Sequence, residues 1–191
     1  MEIIRTFRVS HALARLLHKF GNPVRIVEGH FATEPGSESF VRLEDGQCDL
    51  VLVREGGAEH PEDEHLEEKT RVPLRQGEIL LDVCPGRVDL DRVSFPLNGR
   101  RVSLDRIFKP GPLDLAWIAF DRQEEAENFD PPVWFGPEVT ADAAFRRHNL
   151  ALGGVPAGDE VELSNAALNS ILDELERSAR TADVVPMRSR A

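Results

Sequence analysis

The sequence predicts a mainly β (α+β) protein: a closed eight-stranded antiparallel barrel with peripheral helices and an extra C-terminal helix. Three observations favour this architecture. Several segments alternate apolar and polar residues with a period of two, two turns carry the Asp-Gly and Asn-Gly pairs typical of hairpins, and the extended segments number about eight. A sheet of that size removes its exposed edges when it closes on itself.

The first half of the chain predicts extended segments and two short helices. Asp45-Gly46 joins two strands as a hairpin, and the acidic segment 55–65, which contains no Lys or Arg, is expected to be a solvated loop. The predicted elements are a strand at 2–9, a helix that Ser10 caps and that ends near Phe20, extended segments at 24–33, 39–44, 47–54 and 66–74, and a helix at 76–84.

The second half predicts a further hairpin, one more strand and a final amphipathic helix. Strands at 87–97 and 100–108 flank Asn98-Gly99, a strand follows at 113–120, and Asp121 begins a short helix. The segment 131–140 is rich in proline and aromatic residues and is expected to be irregular. The last helix begins at Ser164, and its apolar stripe consists of Leu168, Ile171, Leu172 and Leu175.

Composition excludes several classes of protein. The chain has 191 residues, which suits one domain, and its net charge is 23 − 34 = −11, which opposes binding to nucleic acid phosphates. We find no apolar run long enough to span a membrane. Two cysteines cannot form a disulfide framework, so a cytoplasmic location is expected.

Several segments, taken in order, resemble the CYTH superfamily, the triphosphate tunnel metalloenzymes. Segments 28–35, 92–97, 102–107 and 115–120 are similar to successive family motifs, and 132–140 (Pro-Val-Trp-Phe-Gly-Pro-Glu-Val-Thr) is close to the family's Pro-x-Trp-Phe-Gly-x-Glu-Val-Thr. The resemblance spans about residues 1–152, which we predict to form the barrel domain. Residues 153–191 are then a linker, the amphipathic helix and a basic tail.

The resemblance implies a tunnel-like barrel in which carboxylates hold Mg²⁺ or Mn²⁺ and basic side chains stabilise phosphate charge. Members mostly hydrolyse or transform triphosphates, and some are adenylate cyclases. Matching the motifs residue by residue retains Glu2, Arg42, Arg92 and Asp105 as ligand-binding candidates. Of these, Glu2 and Asp105 are the two carboxylates that remain to bind a metal ion, and two ligands are expected to bind it weakly.

Other charged positions of the family motifs carry uncharged residues in this chain. Those predicted tunnel-lining residues are Ile4, Thr6, Phe40, Val53, Leu90, Trp117 and Ala119. Lys69 and Arg71 are candidates to replace the missing phosphate ligands, and the alternative for them is an exposed ladder of ion pairs. The lining residues are expected either to fill the barrel as a core or to surround an open cavity.

These losses predict a protein that no longer hydrolyses triphosphates with a metal and instead binds a small anionic, partly apolar ligand or a protein partner. No cofactor is expected, unless the family activity survives with Mg²⁺ or Mn²⁺. One alternative is an active CYTH-type phosphohydrolase or adenylate cyclase with an atypical metal site. Another is a structural or regulatory subunit that acts through the C-terminal helix, where residues 164–180 form a homodimer or bind a protein partner.

Overall fold

The computed structural model describes residues 3–34, 36–54, 66–97 and 99–182. Glu2, the predicted loop at 55–65 and the basic tail from 183 lie outside the described residues. The strands are β1 (Ile3–Arg8), β2 (Val24–His30), β3 (Ser37–Glu44), β4 (Gln47–Arg54), β5 (Leu66–Val72), β6 (Gly86–Leu97), β7 (Arg100–Lys109) and β8 (Leu113–Phe120). The helices are α1 (His11–Phe20), α2 (Leu74–Val83), α3 (Gln123–Glu127), α4 (Arg147–Gly153) and α5 (Asn165–Ala182), with a short 3₁₀ turn at Ala143–Phe145.

The eight strands form one antiparallel sheet in the order β1-β8-β7-β6-β2-β3-β4-β5. The hairpin predicted at Asp45-Gly46 joins β3 to β4, and both turn residues have positive φ, 49° and 71°. That conformation is the one that a two-residue hairpin of this type requires, and Gly46 adopts it without steric cost. The mainly β prediction is therefore confirmed.

The predicted closure of the barrel is wrong at the level of hydrogen bonding. Among the described residues, β1 and β5 are the two edges of the sheet and do not pair with each other. The free edge of β1 instead bonds to the segment after Phe135: Gly136 N–H donates to the Arg8 carbonyl at 2.9 Å, and Val139 N–H donates to the Thr6 carbonyl at 2.8 Å. A Cβ at Gly136 would lie 2.6 Å from the Arg8 carbonyl oxygen, so this close approach requires glycine.

One face of the sheet, which we call the outer face, is covered by several helices. Phe7, Leu104 and Ile118 project from it into an apolar cluster with Leu13 of α1 and Ile171 of α5, all at most 1% exposed. A smaller cluster joins β2, β3 and β4 to α2, and its members are Val27, Val41, Cys48 and Leu81. The outer face is thus an ordinary hydrophobic core.

The opposite face is covered at one end by α4, a helix that the sequence patterns did not predict. Leu150 and Ala151 of α4 pack with Leu90, Ile107 and other apolar residues in a third cluster. The helix ends at Gly154, whose φ of 87° is the left-handed conformation typical of a helix terminus.

The C-terminal helix α5 begins where its sequence predicts. Ser164 Oγ accepts a hydrogen bond at 3.0 Å from the Ala167 N–H, as an N-cap residue does. Leu168, Ile171 and Leu175 of the predicted stripe contact the outer-face cluster, whereas Leu172 is 43% exposed. Both cysteines are free. No helix among the described residues has the length and apolar character needed to cross a membrane.

Candidate functional site

The register of the sheet brings the predicted site residues to one face. Residues paired across antiparallel strands point to the same side of a sheet. Thr6 pairs with Trp117, and Asp105 with Arg92. Following such pairs from strand to strand places every described candidate on the face opposite the outer face, which we call the inner face: Ile4, Thr6, Phe40, Arg42, Val53, Lys69, Arg71, Leu90, Arg92, Asp105, Trp117 and Ala119.

Glu28 of β2 lies at the centre of the inner face, although the sequence patterns did not single it out. Its side chain is 1% exposed, and Oε1 accepts hydrogen bonds from Arg42 Nε at 2.8 Å and from Arg147 Nη1 at 2.7 Å. Its second oxygen, Oε2, lies 3.5 Å from His30 Nε2 and has no hydrogen-bond partner among the described residues. Oε1 of this carboxylate is therefore bonded to two arginines, whereas Oε2 is bonded to no arginine that the structure describes.

Asp105 of β7 is the second buried carboxylate, with 3% side-chain exposure. Arg92 donates to both of its oxygens, from Nε to Oδ1 at 2.6 Å and from Nη2 to Oδ2 at 2.9 Å. The Trp117 indole donates to Oδ2 at 3.1 Å, and Arg147 Nη2 also donates to that oxygen. This fork-to-fork geometry is the strongest form of arginine–carboxylate pairing.

Arg147 connects these two carboxylates. It is the first residue of α4, and it bonds to Glu28 through Nη1 and to Asp105 through Nη2. Leu150 and Ala151, three and four residues later, share its side of the helix and anchor α4 in the apolar cluster. Packing of α4 therefore holds the guanidinium group over the inner face.

The electrostatics follow from this pairing. Burial by itself would raise the pKa of Glu28, but the charge of Arg147, the interaction with His30 and the charge of Arg42 outweigh it, so the pKa lies well below its ordinary value. Burial likewise opposes ionisation of Asp105, and Arg147, Arg92 and Trp117 hold its pKa below the ordinary value. Burial disfavours the charged form of Arg147, yet the two carboxylates raise its pKa. All three groups are charged at neutral pH.

Aromatic rings lie beneath the arginines. The Arg42 guanidinium carbon is 5.4 Å from the centre of the Phe40 ring, and that of Arg92 is 4.8 Å from the centre of the Trp117 ring. His30 stacks on Phe40 with their ring centres 5.0 Å apart. Such contacts orient guanidinium groups and add an attraction between cation and ring.

Lys69 and Arg71 form a separate group on the inner face. Lys69 Nζ lies 3.1 Å from Asp49 Oδ2, and Arg71 Nε lies 2.9 Å from Asp49 Oδ1. Both basic side chains are more than half exposed, whereas the Asp49 side chain is 10% exposed. The ion pairs that the sequence suggested as an alternative are present, and a phosphate-binding role for this pair stays a prediction.

The predicted lining residues divide between packed and open parts of the inner face. Leu90 is completely buried against α4, whereas Ile4 is 44% exposed near the free edge of β1. Phe40, Val53, Trp117 and Ala119 are partly buried. The inner face is thus filled by side chains near Leu90, whereas the part near Ile4 is exposed.

The described residues do not fit the divalent metal that the family resemblance implies. Glu2, one of the two predicted ligands, lies outside the described residues. Both oxygens of Asp105 already accept hydrogen bonds from arginine. Within the described ranges, no three His, Cys, Asp or Glu side chains lie close enough together to hold a metal ion.

Sequence reasoning missed Glu28, Asp49 and Arg147. For the first two a usable signal was present: Glu28 precedes His30 by two residues and so shares its face, and Asp49 pairs with Arg71 across the sheet. Arg147 carried no such signal, because its position depends on where α4 packs.

Fold and site together define a class: antiparallel eight-stranded sheet proteins whose inner face carries paired arginines and carboxylates. The chain is 33% identical over 156 residues to the inorganic triphosphatase of Nitrosomonas europaea. The aligned region covers 79% of this chain and 97% of that protein. The chain belongs to the CYTH superfamily, and the family resemblance of its motifs is confirmed. No family model matches the chain.

Solved structures agree on the fold. The crystal structure of an inorganic triphosphatase is similar to this chain with a TM-score of 0.60 and 26% identity, covering 82% of this chain and 97% of that one. A putative adenylate cyclase from Bacillus halodurans has a TM-score of 0.50 and 15% identity, covering 84% of this chain and 95% of that one. The second likeness concerns the fold alone.

Proposed function

We propose that this CYTH protein binds a phosphate-rich or organic anion on its inner face and has lost metal-dependent triphosphate hydrolysis. One observation carries the proposal: buried carboxylates lie beneath more exposed arginines. Glu28 and Asp105 are 1% and 3% exposed, whereas Arg42, Arg92 and Arg147 are 27%, 17% and 23% exposed. A ligand that approaches this face meets guanidinium groups first, and guanidinium suits phosphate and carboxylate.

The charge balance of the cluster supports anion binding. Three arginines and two carboxylates leave one net positive charge, on a chain whose net charge is −11. Lys69, Arg71 and Asp49 form a second local group with one net positive charge, on a face that also carries Glu38, Glu44 and Glu67. Local positive charge on this face attracts an anion more strongly than the overall charge of the chain suggests.

The aromatic residues favour a ligand that also has an apolar part. Phe40 and Trp117 lie beside the arginines that would contact the anionic group. Sites for small molecules commonly combine apolar walls with a few convergent charges. A free polyphosphate and an organic anion share the anionic group, so both belong in the binding test.

Loss of hydrolysis is supported by what the carboxylates already do. A divalent cation needs oxygen ligands that are not committed to arginine. Glu28 Oε1 and both oxygens of Asp105 are committed, and the family's acidic positions on β8 are Trp117 and Ala119. The residues that remain would neutralise an anion without activating a water molecule for attack.

An active triphosphatase is the second candidate, and the relative favours it. The Nitrosomonas europaea protein, matched over 97% of its length, is an inorganic triphosphatase. In this alternative Glu2 and Asp105 hold Mg²⁺ or Mn²⁺, while Arg42 and Arg92 bind the phosphates. A cyclase acting on a nucleoside triphosphate would use the same groups.

Phosphate release separates the two candidates. Purified protein is incubated with tripolyphosphate, ATP or thiamine triphosphate, with Mg²⁺ or Mn²⁺ and in EDTA. Our proposal expects release at the background rate under every condition. Metal-dependent turnover that Glu2→Gln and Arg92→Ala both abolish would establish the active triphosphatase instead.

Calorimetry tests anion binding directly. Tripolyphosphate and ATP, an organic anion, are titrated separately into the protein in EDTA. Both should bind, and Arg42→Gln should weaken binding about tenfold, because one charge-assisted contact contributes roughly 1.5 kcal/mol. Arg75→Gln is the matched control, since Arg75 is exposed on α2 and away from the inner face. Equal affinities of the two variants would reject the inner face as the site.

We keep a regulatory role through residues 164–180 as a separate proposal. The exposed Leu172 on α5 is the part of the predicted stripe that is available to a second subunit or partner. Native mass spectrometry of the full chain and of Leu172→Asp tests it, because Leu172 is exposed and outside the buried core. Loss of a dimer in the variant supports the role, and a monomer in both cases rejects self-association.

A further inference from the structure

We infer that Arg147 is a built-in cation that takes the place of a divalent metal between Glu28 and Asp105. The inference goes beyond the proposed function, because it concerns how this chain neutralises two buried carboxylates whether or not an anion binds.

The two carboxylates converge although their strands are not neighbours. Glu28 lies on β2 and Asp105 on β7, with β6 between them, and both side chains are almost completely buried. Two buried negative charges that converge in this way destabilise each other unless a cation lies between them. A divalent cation would satisfy that requirement, and here one guanidinium group does so.

Among the described cations, only Arg147 is seen to contact both carboxylates. Arg42 bonds to Glu28, and Arg92 bonds to Asp105. Each of these flanking arginines supports one carboxylate from its side, as a hydrogen-bond donor supports a metal ligand. The bridging position is therefore distinct from the two flanking positions, and the difference provides matched control variants.

The guanidinium group differs from a metal in two ways that matter for function. It is covalently attached to α4, whose apolar residues anchor it, so a chelator cannot remove it. It also cannot lower the pKa of a bound water as a metal ion does. Glu28 Oε2, which lies 3.5 Å from His30 Nε2, accepts no hydrogen bond from an arginine among the described residues and is the oxygen that a metal ion would use in the absence of Arg147.

The test is to remove the bridging charge and ask whether a metal ion enters. Mn²⁺ binding is measured by the electron paramagnetic resonance signal of the free ion, in wild type and in Arg147→Ala. We expect the variant to bind one Mn²⁺ at least tenfold more tightly than wild type, with a dissociation constant of about 10⁻⁴ to 10⁻³ M, typical of weak carboxylate sites. Equal binding by the two proteins would overturn the inference.

Three further variants locate the effect. Arg42→Gln and Arg92→Gln should not gain Mn²⁺ binding, because Arg147 still bridges the carboxylates in each. The double variant Arg147→Ala, Asp105→Asn should lose the gain that Arg147→Ala shows. A gain in either flanking variant, or an undiminished gain in the double variant, would contradict a site between Glu28 and Asp105.

The thermal stability of Arg147→Ala provides a second test of the inference. The variant leaves two carboxylates without their shared cation, so its thermal midpoint by circular dichroism should be lower than that of wild type. Mn²⁺ or Mg²⁺ should raise that midpoint in Arg147→Ala and leave wild type unchanged, since a ligand stabilises the state that binds it. An unfolded variant that neither ion restores would overturn the inference.

The Mn²⁺ measurement stands apart from the proposed function. If wild type hydrolyses tripolyphosphate, the proposed loss of activity fails, while the comparison of Arg147→Ala with Arg92→Gln still reports on the bridging position. If Arg147→Ala gains no metal but wild type binds anions in EDTA, this inference fails and the proposed function stands.

Discussion

The two faces of this sheet are stabilised in different ways. The outer face buries side chains such as Phe7, Leu104 and Ile118 against α1 and α5, and its stability depends on packing. The inner face buries Glu28 and Asp105 at its centre, and their burial is tolerated because arginines pair with them. Apolar burial needs only a neighbour of the right shape, whereas burial of a charge needs a partner of opposite charge in a defined geometry.

This difference determines what a substitution does on each face. Residues of the outer face are exchangeable within limits of volume. On the inner face, each change in charge alters the number of partners that a buried carboxylate has. The arginine that reaches in from α4 supplies one positive charge between the carboxylates, half that of a divalent metal ion, and it does not activate water.

The largest expected effect is on the outer face. Phe7→Ala removes a ring that is 1% exposed and lies 4.7 Å, centre to centre, from Phe135. We expect the free energy of unfolding to fall by about 4 kcal/mol, since the cavity cannot fully collapse. Urea denaturation followed by circular dichroism measures it. Phe20→Ala is the control, because Phe20 is 72% exposed and should change stability by less than about 0.5 kcal/mol.

The next effect tests the inner face. Asp105→Asn keeps the size of the side chain but leaves Arg92 without its charged partner and Arg147 paired with Glu28 alone. We expect a loss of about 3 kcal/mol in the free energy of unfolding. Asp121→Asn, at an exposed position, is the charge-matched control. Equal stability of both variants would remove the distinction between the two faces.

A smaller effect is expected where α5 contacts the outer face. Ile171→Ala removes a completely buried side chain and should lower the free energy of unfolding by about 2 kcal/mol. Its neighbour Leu172 is 43% exposed, so Leu172→Ala should have little effect on stability. A reversed order would mean that the stripe contacts something other than the chain's own core.

Acid should affect the two faces unequally. The pKa values of Glu28 and Asp105 are lower in the folded protein than their ordinary values near 4, so the stability they contribute is complete above about pH 5 and is lost as pH falls through the folded pKa. Urea midpoints at pH 7, 5, 4 and 3 test this. The difference between wild type and Asp105→Asn should be constant above pH 5 and shrink below pH 4, while the difference between wild type and Phe7→Ala should not shrink.

Much of the inner face was predictable, because strand periodicity is a local property. Alternation within β3 and β6 placed Arg42 and Arg92 on one side before any pairing was known, and the register agrees. The Asp45-Gly46 hairpin and the Ser164 cap follow from turn and helix-end chemistry within a few residues. The ligand-binding roles of these residues stay predictions.

Two features depended on contacts between distant segments. The edge of β1 bonds to residues 136–139, so the barrel predicted from strand count does not close. No residue pattern within β1 predicts that residues 136–139, and not another strand, bond to its edge.

The sequence by itself determined the strands, their two faces and the charged residues that remain on the inner one, because side-chain alternation and turn chemistry act over a few residues. Only the tertiary structure decided what neutralises them. Arg147 and Glu28 are 119 residues apart in the chain. They are in contact because apolar residues of α4 pack on the sheet and so place the Arg147 guanidinium group beside Glu28.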